Sequence, residues 1–269
     1  MILVLGGTTE GRELCAALDR RGVPNLQSLA GRTSDPLVSE SVRVGGFGGA
    51  EGLRRFLAES GVTAVVDATH PFAVGITRNA AEACADLEVR LIRVNRPGWA
   101  GHAHADRWVW VDDHAAAASA VVALDTGSVG INGLDAASCH PRHRLDQRSP
   151  VPVLLTVGRQ HTLDYSPALD DRFVLARVAE PPSGVLPATW RLELARGPFT
   201  LDGERRLFAE HEIGCLVSKD SGGEATAAKL WAADEAGARV VMIRRPVPPD
   251  GAELVPDAAA ALRLLRDEG

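Results

Sequence analysis

An apolar run, Ile2-Leu3-Val4-Leu5, passes directly into Gly6-Gly7-Thr8-Thr9-Glu10-Gly11 and then into a helical pattern through Leu14 and Leu18. Strand, glycine turn and helix in that order commit the chain to a parallel sheet, because the helix must cross back before the next strand can start. The rhythm continues. Leu26–Ala30, Val42–Val44, Thr63–Ala68 and Val89–Val94 read as further strands, each separated from the next by a segment long enough for a helix. Leu53, Phe56 and Leu57, then Ile76, Ala80, Ala83, Cys84 and Leu87, give the intervening helices an apolar face, and Gly22 and Gly61 stand where helices should end.

The second half repeats the pattern with strands at Val153–Val157, Phe173–Val178, Leu192–Leu194, Cys215–Ser218 and Arg239–Ile243, and with helices at Ala225–Glu235 and Ala258–Arg266. Arg96-Pro97 and Arg245-Pro246 each close a strand. Carried backward without a gap, that offset of 149 residues pairs Val94 with Ile243, Ala83 with Ala232, and Thr69-His70 with Ser218-Lys219. The expected fold class is therefore α/β, with two similar doubly wound parallel-sheet domains. A length of 269 residues fits two domains at roughly 100 to 200 residues each. The Gly-, Ser-, His- and Pro-rich stretch from Asp125 to Pro150 reads as the connection, with Ser128–Asn132 a candidate short strand. That places the domains at residues 1–125 and 126–269.

Composition removes several classes of function. A net charge of −6 without a basic stripe argues against nucleic acid. No run approaches the roughly 18 apolar residues of a membrane helix, and nothing resembles a signal peptide, so a soluble cytoplasmic protein is expected. The four cysteines lie far apart, which suits reduced thiols rather than a disulfide framework. Cys139, His140 and His143 match no common zinc spacing, so no metal is expected. Of 29 basic residues only Lys219 and Lys229 are lysines. Where arginine has replaced nearly every lysine, a retained lysine points to a need for an amine.

Chemistry should gather where strands end, since ligands of open parallel sheets bind at the carboxyl edge. The Gly6–Gly11 turn can approach a diphosphate at a helix N-terminus, although its middle glycine arrives one position earlier than in Gly-x-Gly-x-x-Gly. An NAD site carries a carboxylate about 20 residues farther on. Gly31 stands there instead, within Ser28-Leu29-Ala30-Gly31-Arg32-Thr33. Arg32 offers a guanidinium fork to a 2′-phosphate, with Ser28 and Thr33 as hydroxyl donors, and a charge-assisted bond worth roughly 1.5–3 kcal/mol favours NADPH over NADH. The other reading of Arg32 is one surface arginine among 27. Thr69 and His70 end the fourth strand, where a loop or ribose hydrogen bond suits His70 better than a proton shuttle.

In the second half, Ser218-Lys219-Asp220-Ser221-Gly222-Gly223 occupies a strand-to-helix turn. An ammonium with a movable pKa can donate a proton or orient a carboxylate, and Asp220 beside it could set its charge. Gly222 and Gly223 would leave the next helix open to an anion. A helix cap with an incidental ion pair is the alternative. Thr156-Val157-Gly158-Arg159-Gln160 and Arg196-Gly197-Pro198-Phe199 hold arginines at strand ends, and with Arg93 and Arg96 they could form a positive cleft for a polycarboxylate; singly, each reads as a solvated residue. A short-chain dehydrogenase is excluded, because Leu169 stands where the Tyr-x-x-x-Lys pair of Tyr165 would need its lysine. A non-catalytic NADP(H)-sensing module stays open.

Taken together, Gly6–Gly11, Ser28–Thr33, Asp67-Ala68-Thr69-His70-Pro71-Phe72-Ala73, Arg196–Phe199 and Ser218–Gly223 resemble the precorrin-6A reductases of cobalamin biosynthesis, over nearly the whole chain. The resemblance implies two Rossmann-like domains with the active site in the cleft between them. It implies reduction of the C18–C19 double bond of a tetrapyrrole bearing several carboxylates, by hydride from NADPH and a proton, to give precorrin-6B. On that reading Gly6, Gly7, Thr8, Thr9, Glu10, Gly11, Ser28, Gly31, Arg32, Thr33, Thr69 and His70 bind the cofactor. Arg96, Thr156, Gly158, Arg159, Gln160, Arg196, Ser218 and Gly222 bind substrate, and Lys219, Asp220 and Ser221 are catalytic. Cobalt-free and cobalt-containing substrates both remain open.

Overall fold

The computed structural model describes residues 1–30, 41–125 and 150–265. Its strands form two six-stranded sheets in which every pairing is parallel. The first contains β1 (Ile2–Leu5), β2 (Asn25–Leu29), β3 (Val42–Val44), β4 (Ala64–Asp67), β5 (Arg90–Val94) and β12 (Glu253–Val255), in the order β12-β5-β4-β1-β2-β3. The second contains β6 (Val109–Val111), β7 (Val153–Thr156), β8 (Val174–Val178), β9 (Trp190–Leu194), β10 (Cys215–Lys219) and β11 (Arg239–Ile243), in the order β6-β11-β10-β7-β8-β9. Strand for strand the two orders correspond, as the repeat implies. Helices follow the strands: α1 (Thr9–Asp19), α2 (Gly49–Glu59), α3 (Val74–Asp86), α4 (His114–Asp125), α5 (Leu201–Glu210), α6 (Ala228–Glu235) and α7 (Ala258–Leu264).

Three expectations change. The compact units are not 1–125 and 126–269: one holds the described residues up to Pro97 and from Pro246 onward, the other those from Gly98 to Arg245. The chain leaves the first sheet after β5, places β6 on the edge of the second, and returns at its end to place β12 beside β5. Each exchanged strand has three residues, too few for alternation to show, so a change in composition near residue 125 stood in for the boundary. The gapless offset also slips. Val66 pairs with Ile92, and Val217 with Val241, which places Asp220-Ser221, not Ser218-Lys219, in the position of Thr69-His70. The second unit has two residues fewer between these strands. The candidate strand Ser128–Asn132 lies outside the described residues, and the helix expected from Ala225 begins as a short 3-10 turn, Glu224–Thr226, before α6.

Burial follows from the pleat. Ile2 and Val4 face α1 and α7 with Leu14, Leu18, Val66, Ile92 and Ala261, whereas Leu3 and Leu5 face α2 and α3 with Leu53, Leu57, Ala80, Ala83 and Cys84. In the second unit Leu154, Leu175, Leu216, Val240 and Met242 pack on Phe208, Leu230 and Ala233 of α5 and α6. Cys15, Cys84 and Cys215 are buried and free, and burial, the chief cause in each, pushes their thiols up to about 12. No helix among the described residues is long and apolar enough to cross a membrane.

Candidate active site

In the first unit three glycines separate two jobs. A Cβ on Gly11 would lie 3.2 Å from Gly6 Cα, and one on Gly6 would lie 2.8 Å from Gln27 Nε2, so these two let α1 and β2 close on the turn. Gly7 is different: its φ is +113° and nothing lies within 4 Å of where its Cβ would be. Moving the middle glycine one place forward frees Thr8 to cap α1. Its hydroxyl accepts from Gly11 N at 3.2 Å and donates to the Ala68 carbonyl at 2.6 Å, tying the turn to the end of β4. Gly7→Ala should cost about 1–3 kcal/mol through backbone strain alone. Urea titration checks this against Gly46→Ala, which meets no atom and needs no unusual φ.

Gln27 supplies the test of fit for a nucleotide. Its Nε2 is buried without a hydrogen-bond partner among the described residues, beside the open glycine turn. A buried donor left unmade costs about 1–3 kcal/mol, which a ligand acceptor would recover, so the turn fits a diphosphate-bearing cofactor. The sequence signal for Gln27 was a polar residue opposite Val4 in an interior strand.

The other first-unit candidates are already engaged. Asp67, 1% exposed, accepts from Thr69 N (3.0 Å), Thr69 Oγ1 (2.7 Å) and Thr77 Oγ1 (2.7 Å) and pairs with Arg93. Arg93 is itself buried and donates to Thr69 Oγ1 at 3.1 Å, so it does not line a positive cleft. His70 Nδ1 accepts from Phe72 N at 3.2 Å, a loop hydrogen bond. Arg96 grips both oxygens of Glu10 at 2.9 and 2.8 Å. Burial works to raise the Glu10 carboxyl, but hydrogen bonds and charge from Arg96 hold it below its ordinary value. Thr9 Oγ1 accepts from Arg12, and the buried Ser28 receives Gly6 N on its carbonyl at 2.9 Å. Gly31, Arg32 and Thr33 lie outside the described residues.

In the second unit β7 and β10 deliver their turns side by side. Thr156 donates to the Val217 carbonyl at 3.0 Å, which binds the two strands together rather than pointing to a ligand. Gly158 has a φ of +83°, and a Cβ there would lie 3.6 Å from Lys219 Nζ, in ordinary contact, so backbone conformation rather than space for the amine favours glycine. Burial pushes the Lys219 ammonium down to about 8. Asp220 has another occupation: it accepts from Trp99 N at 2.6 Å and from Arg245 Nε at 3.1 Å. The expectation that Asp220 sets the amine's charge therefore gives way to desolvation. Ser218 and Ser221 are buried, and Gly222 and Gly223 both have positive φ, 64° and 88°. Phe199 N donates to the Ala225 carbonyl at 3.2 Å, seating the Arg196–Phe199 loop on this turn. Gln160 is exposed.

Arg159 and Arg196, separate in sequence, meet on one carboxylate. Glu180 lies 2.8 Å from the first and 3.2 Å from the second. Two half-exposed guanidiniums on one anion leave a net positive charge for another. Sequence reasoning missed Glu180, for which no motif signalled. It singled out Lys229, the other retained lysine, but gave it no role; the residue is buried, and burial first, with Arg177 and Lys219 adding to it against Glu204, pushes it down to about 8. Among the described residues no group of three His, Cys, Asp or Glu could hold a metal ion, and Cys139, His140 and His143 lie outside them.

The precorrin-6x reductase CbiJ/CobK family matches residues 1–266. The chain belongs to that family. Precorrin-6A reductase of Rhodococcus erythropolis is 42% identical over 97% of this chain and 95% of its own length, and that of Mycobacterium tuberculosis is 40% identical over 94% and 92%. A cobalt-precorrin-6A reductase of Salmonella typhimurium is 27% identical over 98% and 95%. The solved structure of CobK precorrin-6A reductase superposes with a TM-score of 0.82 at 37% identity, covering 100% of this chain and 96% of that one. Two parallel-sheet units are thus the architecture of a CbiJ/CobK family member.

Proposed function

We propose that this CbiJ/CobK family member reduces the C18–C19 double bond of precorrin-6A to give precorrin-6B, using NADPH. The observation that carries the cofactor is the Gly6–Gly11 turn, with an open Gly7 face, Thr8 at the helix cap and an unpartnered Gln27 donor. NADPH, when bound, supplies the hydride. Preference for it over NADH rests on Arg32 and on the lack of a carboxylate between residues 28 and 33. Thr69 and His70, fixed by Asp67 and by Phe72 N, complete the cofactor edge.

The second unit's residues act on the macrocycle. Arg159 and Arg196, with Gln160 and the Gly158 and Gly222 backbones, hold its carboxylates, while Lys219 gives a proton to the carbon neighbouring the hydride acceptor. Hydride and proton together saturate one double bond. An amine near 8 exists mainly as the ammonium at neutral pH and releases its proton readily, which suits an acid. Asp220 positions the Lys219 turn through Arg245 and Trp99 N, and Ser221 shares that turn. Arg96, paired with Glu10 in the first unit, steadies the cofactor turn. Relatives named for the cobalt-free substrate are 38–42% identical and those named for the cobalt form 24–27%, which favours the cobalt-free macrocycle.

Anaerobic mixing of protein, NADPH and precorrin-6A tests this. Nicotinamide absorbance should fall as the macrocycle gains two hydrogens, with NADH at least about tenfold poorer. NADPH bound but never consumed would instead identify a sensor.

A further inference from the structure

Beside Lys219 stand titratable groups that the proposed chemistry leaves unused. His114 opens α4, and its ring stacks on His161 with centroids 4.0 Å apart and planes 13° from parallel. Its Nδ1 lies 3.0 Å from the Tyr165 hydroxyl, and the two rings meet edge-on. His161 Nδ1 lies 2.8 Å from Asp164 Oδ2 near the surface. His161 N donates to the Gly158 carbonyl at 3.2 Å, and Lys219 Nζ lies 3.6 Å from where a Gly158 Cβ would be. The stacked pair and the amine therefore share one turn.

Tyr165 is fully buried, and burial first, then the charges of Asp164 and Asp113, drive its hydroxyl well above the ordinary phenol range. It stays protonated and can donate; in that pairing His114 Nδ1 accepts and the ring hydrogen sits on Nε2. Burial, then His161 and Lys219, push His114 down to about 4 against the opposing pull of Asp164 and Asp113. The ring is neutral at physiological pH. Among the described residues none accepts from its Nε2.

We propose that His114 is a further substrate-binding residue: an uncharged Nε2–H donor to a macrocycle carboxylate beside the Lys219 acid. The proposal rests on the reading of a carboxylated tetrapyrrole as substrate. A second cation here would compete with the Lys219 ammonium, whereas a neutral imidazole adds a directed hydrogen bond without that repulsion. Lys219 supplies the proton, and His114 supplies a directed hydrogen bond.

Two variants separate binding from support. His114→Gln keeps a donor at the reach of Nε2, whereas His114→Asn keeps an acceptor near Nδ1 for Tyr165 but places no donor at the reach of Nε2. Under the proposal, His114→Asn raises KM for the macrocycle about tenfold or more with kcat little changed, and His114→Gln stays close to the parent. A ring needed only to satisfy Tyr165 gives the reverse order, which overturns the proposal. Imidazole 15N spectra provide a second readout, the His114 signal being identified by its loss in His114→Gln. It should show the Nε2–H tautomer unchanged between about pH 5.5 and 8, and Nε2 should shift when the macrocycle saturates the protein. Titration within that window, or an unmoved Nε2, overturns the assignment even where turnover is intact. A shift without NADPH consumption leaves His114 as a binding residue and overturns the reductase reading instead.

Discussion

Lys219→Ala should lower turnover by about a hundredfold to ten-thousandfold, the usual contribution of a positioned acid, while the dissociation constant for NADPH changes by less than about twofold. The split follows from placement. The amine is in the second unit, at the end of β10 against Gly158, and the glycine turn that fits a diphosphate is in the first. The same residue sets a pH limb. With its ammonium pushed down to about 8 by burial, the proton donor is present below that value and lost above it, so kcat should fall as pH rises through about 8. Lys219→Arg separates charge from acidity: a guanidinium stays protonated, so the limb disappears, yet it does not release its proton and the rate is not restored. A limb that persists in Lys219→Ala would move the acid elsewhere, with Lys229 the first alternative because burial pushes it down to the same range. Equal losses in turnover and NADPH affinity would contradict a proton-donor role.

What the sequence made legible is what repeats locally. Strand runs such as Ile2–Leu5 and Arg239–Ile243 were readable to the residue because both faces of a doubly wound sheet are covered and the strands are apolar apart from the leading Arg239. The Lys219 turn was legible through composition, since a lysine in an arginine-dominated chain stands out. Relations between distant segments were hidden. The exchange of β6 and β12 depends on which sheet edge a three-residue strand reaches, and no period records that. Glu180 became important only when Arg159 and Arg196 arrived on it, 21 and 16 residues away. Asp220 looked like the partner of Lys219 by adjacency. Its partners are Arg245 and the Trp99 amide, 25 and 121 residues away, because neighbouring strand-end residues point apart.

Removing Glu204 should destabilise the second unit by about 3–5 kcal/mol, the cost of breaking a buried ion pair from one side. Glu204 is 2% exposed and meets Arg177 through two hydrogen bonds, 2.7 and 3.1 Å, while the Arg177 guanidinium lies 4.1 Å over the Phe199 ring. Without the carboxylate, the acidic partner left to Arg177 among the described residues is Glu193 at 3.8 Å, and Lys229 loses a charge that favours its ammonium. Lys229 can shed its proton, but Arg177 cannot. At about 2–4 °C per kcal/mol, Glu204→Ala should lower the melting temperature by roughly 6–20 °C. Glu51→Ala breaks a similarly short pair, Arg54 to Glu51 at 2.8 Å, but both side chains are well exposed, so its cost should be far smaller than that of Glu204→Ala. Equal costs in the two variants would show that burial does not govern these pairs. Function should follow stability here. Phe199 supports Arg177 and also hydrogen-bonds the Ala225 carbonyl beside Gly222 and Gly223, so losing Glu204 loosens the loop that carries Arg196. The macrocycle KM should rise in Glu204→Ala at temperatures well below its melting point, where Glu51→Ala remains unchanged.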